Sequence, residues 1–306
     1  MVEILQDFEP FFGHSKTNIP ETGAFHYLRK LGVIDIGSNS VRMVIFDGAA
    51  RSPAYFFNEK ILCGLGSGLA HSGKLHAKGK LRAISAIERF VNLADAMEVP
   101  QLSLIATAAV RSASDGLLFC DEIRRKTGKE INIIDGTEEA RLSAQGVMLG
   151  WPGAYGLVCD LGGSSMELAE INQGSVGKCL TSELGPLILK ELKGGKKNRK
   201  QHIKETMAKL ATRMGPQHNR LFLVGGSWRA FARIDMLRRG YPLHVMHEYR
   251  ISLSSVKKTI KFIETGELEE IRKKCGITAA RIKLIPIACE ILSRLVGSFK
   301  PKDIAI

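Results

Sequence analysis

The sequence predicts an α/β protein made of two related domains that face each other across a cleft. Two observations carry this expectation. First, a strand–turn–strand unit occurs twice. Residues 33–36 and 41–46 are short, β-branched apolar runs around Gly37, Ser38, Asn39 and Ser40. Residues 157–161 and 166–168 repeat the layout around Gly162, Gly163, Ser164 and Ser165. Asp35 matches Asp160, Gly37 matches Gly162, Ser40 matches Ser165 and Arg42 matches Glu167, all at a constant offset of 125 residues. Second, strand-length apolar runs alternate with segments of helical period, and 306 residues suffice for two domains of ordinary size.

Residues 1–30 hold Asp7, Glu9, Glu21, Pro10 and Pro20 and lack a basic start followed by an apolar run. They read as a flexible lead-in, not a signal peptide. After the first hairpin come a strand at 54–61 and a glycine-rich loop at 64–68. Residues 78–97 form a helix, since Leu81, Ile84, Ile87, Phe90, Val91 and Ala94 recur at helical spacing. A strand at 102–106 ends in Thr107, Ala108, Ala109, Val110 and Arg111. Small residues at a strand's carboxyl end mark the ligand side of an open α/β sheet. A short helix at 117–127 and a strand at 131–134 precede a helix from Gly136 to about residue 150. Thr137 suits its cap, and Glu138 and Glu139 suit its positive end.

Residues 151–155 read as the connection between a first domain, 31–150, and a second, 151–306. The second hairpin is followed by helices at 183–193 and 203–213 with a basic loop, 193–200, between them. A strand at 221–224 runs into Gly225, Gly226 and Ser227. Helices at 253–264, 267–275 and 286–295 follow, and 303–306 reads as the start of a strand, the pattern expected of a piece of a longer protein.

The net charge of +13 favours polyanionic partners: nucleic acid, anionic lipid or a phosphate-rich substrate. The apolar stretches fall short of the roughly 18 residues a membrane span needs. Six cysteines without a CxxC pair suit reduced thiols in the cytoplasm and argue against a zinc or disulfide framework. None of the eight histidines shows metal-ligand spacing, and His244 and His247 read as structural or surface residues.

Three of the segments that could meet at one cleft place Gly with Ser or Thr directly after a strand, the usual arrangement for phosphate. Arg42 and Arg111 carry forks that match phosphate oxygens. Asp35, Asp160 and Glu167 are the carboxylates best placed for a divalent ion, and Mg²⁺ suits few carboxylates plus substrate phosphate. Glu138 or Glu139 could orient an attacking water. Each has a plainer role open to it. The two glutamates favour any helix start, Asp160 can cap a turn, Arg111 can pair with a surface carboxylate, and Gly225 and Gly226 can form an ordinary turn. Lys196, Lys197, Arg199 and Lys200 are either a solvated loop or a polyanion track.

Four ordered motifs resemble the exopolyphosphatase / guanosine pentaphosphate phosphohydrolase family of the actin-like ATPase superfamily. They are Asp35-Ile36-Gly37-Ser38-Asn39-Ser40-Val41-Arg42, Ala106-Thr107-Ala108-Ala109-Val110-Arg111, Gly136-Thr137-Glu138-Glu139-Ala140-Arg141-Leu142 and Asp160-Leu161-Gly162-Gly163-Ser164-Ser165-Met166-Glu167. Gly225-Gly226-Ser227-Trp228-Arg229-Ala230 resembles its later glycine motif, so the likeness spans about residues 30–306. The resemblance implies two ribonuclease-H-like (actin-like ATPase) domains facing a cleft, and hydrolysis of a terminal phosphoanhydride there. It makes Glu139 the base for water and gives Asp160 and Glu167, with Asp35 beside them, to Mg²⁺. Phosphate then falls to Arg42, Arg111, Thr107 and the turns at Gly37, Ser38, Asn39, Ser40, Gly162, Gly163, Ser164, Ser165, Gly225, Gly226 and Ser227. Polyphosphate or guanosine pentaphosphate is the expected substrate and a homodimer the expected assembly. Two departures stand out. Ser164 occupies a position where the family usually has a third glycine, and longer members continue into helical C-terminal domains. The rival expectations are an actin-like ATPase or sugar kinase, and a non-catalytic sensor of polyphosphate or nucleotide. Nucleic acid is disfavoured, because no aromatic-rich basic motif is present.

Overall fold

The computed structural model describes residues 29–48, 54–216, 219–243 and 245–306. Most of the lead-in expected over 1–30, and His244, lie outside them. The chain forms β1 (Leu31–Ile36), β2 (Ser40–Phe46), β3 (Tyr55–Leu62), α1 (Leu69–Ser72), α2 (Ala77–Ala96), β4 (Gln101–Ala106), α3 (Ala108–Ser112), α4 (Gly116–Thr127), β5 (Ile131–Ile133) and α5 (Gly136–Gly150). It continues through β6 (Gly156–Leu161), β7 (Met166–Asn172), β8 (Ser175–Ser182), α6 (Pro186–Glu191), α7 (Gly195–Met214), β9 (Arg220–Val224) and α8 (Gly226–Arg239). Then follow β10 (Arg250–Ile251), α9 (Leu253–Thr265), α10 (Leu268–Cys275), α11 (Ala279–Ile282), α12 (Ile285–Phe299) and β11 (Ile304–Ala305).

Two mixed sheets repeat one topology. The first has the order β3-β2-β1-β4-β5, and the second β8-β7-β6-β9-β11 with β10 added at its edge. In each, an antiparallel meander of three strands is extended by parallel strands, β4 and β5 in one, β9 and β11 in the other. The duplication legible in the hairpins therefore extends to whole sheets. The terminal strand is not at an exposed end: β11 lies between β9 and β10, with Ile304 and Ala305 buried.

Helix α5 packs on β7 and β8 of the second sheet, not on the first. Ala140 and Ala144, one helical turn apart and both buried, let it lie close to the strands. The apolar stripe of α5, expected from sequence to belong with residues 31–150, thus has its partner in β7 and β8. The expected cap of this helix also shifts: Asp135, not Thr137, accepts the first amides, those of Thr137 and Glu138, at 2.8 Å each. The basic run 193–200 is no loop but mostly the first turns of α7, and Arg199 in it is paired with Glu290 on α12 at 2.9 Å. Leu81, counted on the buried face of α2, is exposed. Among the described residues no helix is long and apolar enough to cross a membrane.

Candidate active site

A cleft of about 490 Å³ opens between the sheets, lined by residues of both. Local sequence builds its two floors in the same way. The Gly37 amide donates to the Ser40 carbonyl at 3.0 Å, and the Gly162 amide to the Ser165 carbonyl at 3.1 Å. Each turn holds a pair of charged residues directly opposite on neighbouring strands, Asp35 with Arg42 and Asp160 with Glu167. Cross-strand partners share a face of the sheet. Asp35, Gly37, Ser38, Asn39, Ser40, Arg42, Thr107, Glu139, Asp160, Gly162, Gly163, Ser165, Gly225, Gly226 and Ser227 all line the cleft. The amino end of the 14-residue helix α8 also opens there, at Gly225–Ser227, and such an end attracts anions.

Three expected site residues are placed otherwise. Arg111 does not line the cleft. Its Nη1 donates to the Ile134 carbonyl at 2.6 Å and to Glu139 Oε2 at 3.2 Å, so it grips the glutamate from behind. Ser164 is buried beside Gly66 of the first domain and does not line the cleft. Glu167 is buried beside its cross-strand partner Asp160, outside the cleft lining, and accepts a hydrogen bond from Thr181 Oγ1 at 2.9 Å. The packing of α5 over β7 and β8 encloses it. Among the described residues no three His, Cys, Asp or Glu side chains come together so as to hold a metal by themselves. The trio Asp35, Asp160 and Glu167 is thus not assembled as a cage.

The carboxylates that line the cleft have raised proton affinity. Glu139 is pushed up to about 7, first by burial; Arg111 opposes the rise, and the charges of Asp160 and Asp35 add to it. Asp35, open to the cleft yet enclosed at its floor, rises to about 6 through burial and the charge of Asp160. Burial also raises Asp160, against a hydrogen bond from Ser143 Oγ to its Oδ2 at 2.5 Å. Glu138 points the other way and pairs with Arg141, Nε to Oε2 at 2.7 Å. One glutamate of the pair faces the cleft and the other faces solvent.

Facing the carboxylates are four cations, Arg42, Lys60, Arg229 and Arg281. The first was expected; the other three were not. Lys60 lies directly opposite Arg42 on β3, a relation that strand register could have flagged. Arg229 lies one turn into α8. Arg281 comes from α11, far along the chain. Its guanidinium lies over the glycine turn, where a Cβ on Gly226 would stand only 1.6 Å from its Nη1. Burial and then the charges of neighbouring arginines lower the proton affinity of Lys60, Arg229 and Arg281. Among the described residues none of the three has an ion-pair partner. Such a cluster is a preformed seat for a multiply charged anion.

Glu167 makes a stability prediction. Burial and then the charge of Glu139 raise it to about 9. A carboxyl raised in the folded state favours folding below its ordinary value, and that stability is lost as pH rises through the folded value. In buffer with a chelator, the melting midpoint is expected to fall from pH 5 to pH 9. Glu167→Gln should flatten the fall and raise the midpoint at pH 8, by about 2–4 °C for each kcal/mol of relief. Equal pH dependence in both proteins would show that Glu167 is ionised throughout.

The sequence profile of the Ppx/GppA phosphatase family matches residues 33–306. Exopolyphosphatase 1 of Mycobacterium tuberculosis is 32% identical over 143 residues, 46% of this chain and 42% of that protein. The match thus spans less than half the length of that relative. The crystal structure of an exopolyphosphatase from Cytophaga hutchinsonii superposes with a TM-score of 0.80 at 21% identity, over 90% of this chain and 93% of that one. A Ppx/GppA family member from Aquifex aeolicus gives 0.74 at 21% identity, over 90% and 92%. These structures share the fold.

Proposed function

The chain belongs to the Ppx/GppA phosphatase family, and from that premise we propose that it releases orthophosphate from the end of an inorganic polyphosphate chain by attack of water. The observation that carries this is the division of one cleft into a carboxylate wall, with Glu139 near neutrality, and a cluster of four cations. The terminal phosphate sits at the carboxylates, among the amides of the two turns. The following phosphates lie along Arg42, Lys60, Arg229 and Arg281. Glu139 takes a proton from the water as its oxygen bonds to phosphorus. The bridging P–O bond breaks, and the shortened chain leaves with the electron pair, its charge held by the cations.

Asp35 and Asp160 suit Mg²⁺: two carboxylates with raised proton affinity beside a phosphate seat give the all-oxygen donors this ion takes, with substrate phosphate and water completing its shell. Bound there, Mg²⁺ supplies positive charge to the carboxylates and to the phosphate oxygens. Arg111 on α3 keeps Glu139 in place from behind, and α5 carries Glu139 on a rigid element.

No Phe, Tyr or Trp lines the cleft among the described residues, so a guanine base would find no ring to stack on. That favours the inorganic chain over guanosine pentaphosphate. The test is phosphate release from long polyphosphate, tripolyphosphate and guanosine pentaphosphate side by side, with and without Mg²⁺. The expected order places both inorganic chains at least tenfold above the nucleotide in kcat/KM, about 1.4 kcal/mol in transition-state binding. Turnover of ATP with transfer to a sugar, or tight polyphosphate binding without phosphate release, would overturn the proposal.

A further inference from the structure

We infer that Ser143 is a positioning residue, whose hydroxyl fixes the Asp160 carboxylate so that its other oxygen stays turned to the cleft. The inference rests on the proposed reaction at this site. Ser143 lies one helical turn after Glu139 on α5, and both line the cleft. Its Oγ donates to Asp160 Oδ2 at 2.5 Å. The opposite oxygen, Oδ1, lies against the glycine turn, 3.3 Å from where a Cβ on Gly225 would stand. Gly225 has φ +116°, a conformation that side chains resist. The carboxylate is thus held between a helix and a turn.

Such holding matters because of the neighbours. The last torsion of an aspartate is broad and nearly free. Asp35 and Glu139, which both feel the charge of Asp160, would favour rotation of its oxygens away from them. One hydrogen bond from Ser143 opposes that rotation. The same helix carries the glutamate that meets water, so the spacing between base and Asp160 is set by α5 itself. Ala140 and Ala144 seat that helix on β7 and β8, which fixes the height of both side chains above the sheet.

The test compares wild type, Ser143→Ala and Ser143→Thr in two measurements. The first is calorimetric titration of the substrate-free protein with Mg²⁺ alone. The second is steady-state phosphate release from polyphosphate. Ser143→Ala is expected to weaken Mg²⁺ binding and lower kcat by about 10–100-fold each, the usual cost of losing a group that orients a ligand. KM for polyphosphate should stay within about twofold, because the cations are untouched, and Ser143→Thr should restore both. Wild-type Mg²⁺ affinity in Ser143→Ala overturns the inference. So does a loss that threonine fails to restore, since the site would then respond to size and not to the hydroxyl. A wild-type protein that binds Mg²⁺ but releases no phosphate defeats the proposed reaction, while the titration still decides the role of Ser143.

Discussion

Glu139→Gln is expected to lower kcat by about 10²–10⁴-fold with polyphosphate binding preserved, the usual worth of a positioned general base. The side chain is 15% exposed and faces the cleft. Burial outweighs the pull of Arg111 and brings it to about 7, close to the pH at which a base both holds its lone pair and takes a proton readily. Glutamine keeps the shape and accepts from Arg111 but takes no proton. The base works when deprotonated, so wild-type kcat should rise with pH through about 7, and the variant should lose that limb. Arg111→Ala removes the opposing cation and should move the limb to higher pH. Glu138→Gln is the control; its partner is Arg141, outside the cleft, and its effect should stay within a few-fold. A Glu139→Gln enzyme as fast as wild type, with an unchanged pH profile, would remove the residue from the mechanism.

Replacing Arg229 and Arg281 together with alanine should cost about 10²–10³-fold in kcat/KM, the scale of losing fixed charges aimed at a developing anion. Neither has a direct ion-pair partner among the described residues, but the charge of Arg229 holds the proton affinity of Asp160 down, so the double variant should also raise Asp160. Each phosphate contact on a flexible polyanion contributes about 0.7 to the slope of log affinity against log salt. The double variant should therefore flatten that slope by about 1.4. Lys196 and Lys197, exposed at the start of α7 and absent from the cleft lining, are the contrast; their replacement should leave the slope for tripolyphosphate unchanged. Equal salt slopes for wild type and the Arg229/Arg281 variant would show that these arginines do not meet the chain of phosphates.

The parts that short-range chemistry controls are legible in the amino-acid order alone. Two strands around a small polar turn fold the same way wherever that pattern occurs, so the offset between Asp35 and Asp160 was enough to read a duplication. The helix opening at Gly136, and its two glutamates, were equally legible, because a helix start needs only local caps and charges. The resemblance makes Glu139 the base, whereas which of the two glutamates faces the cleft depends on how α5 docks.

Tertiary structure decided everything that depends on which faces dock. Helix α5 belongs to the second sheet because its alanine stripe meets β7 and β8, and no local signal in 136–150 names that partner. The same docking encloses Glu167 beside Asp160, outside the cleft lining. Arg111 was equally able to reach phosphate or Glu139; the path of the chain after β5 brought the glutamate to it. Lys60, Arg229 and Arg281 lie on three separate elements, each an ordinary basic residue in sequence. They become a binding surface only when the two sheets close one cleft, since repulsion among like charges is tolerated only where packing elsewhere holds them together.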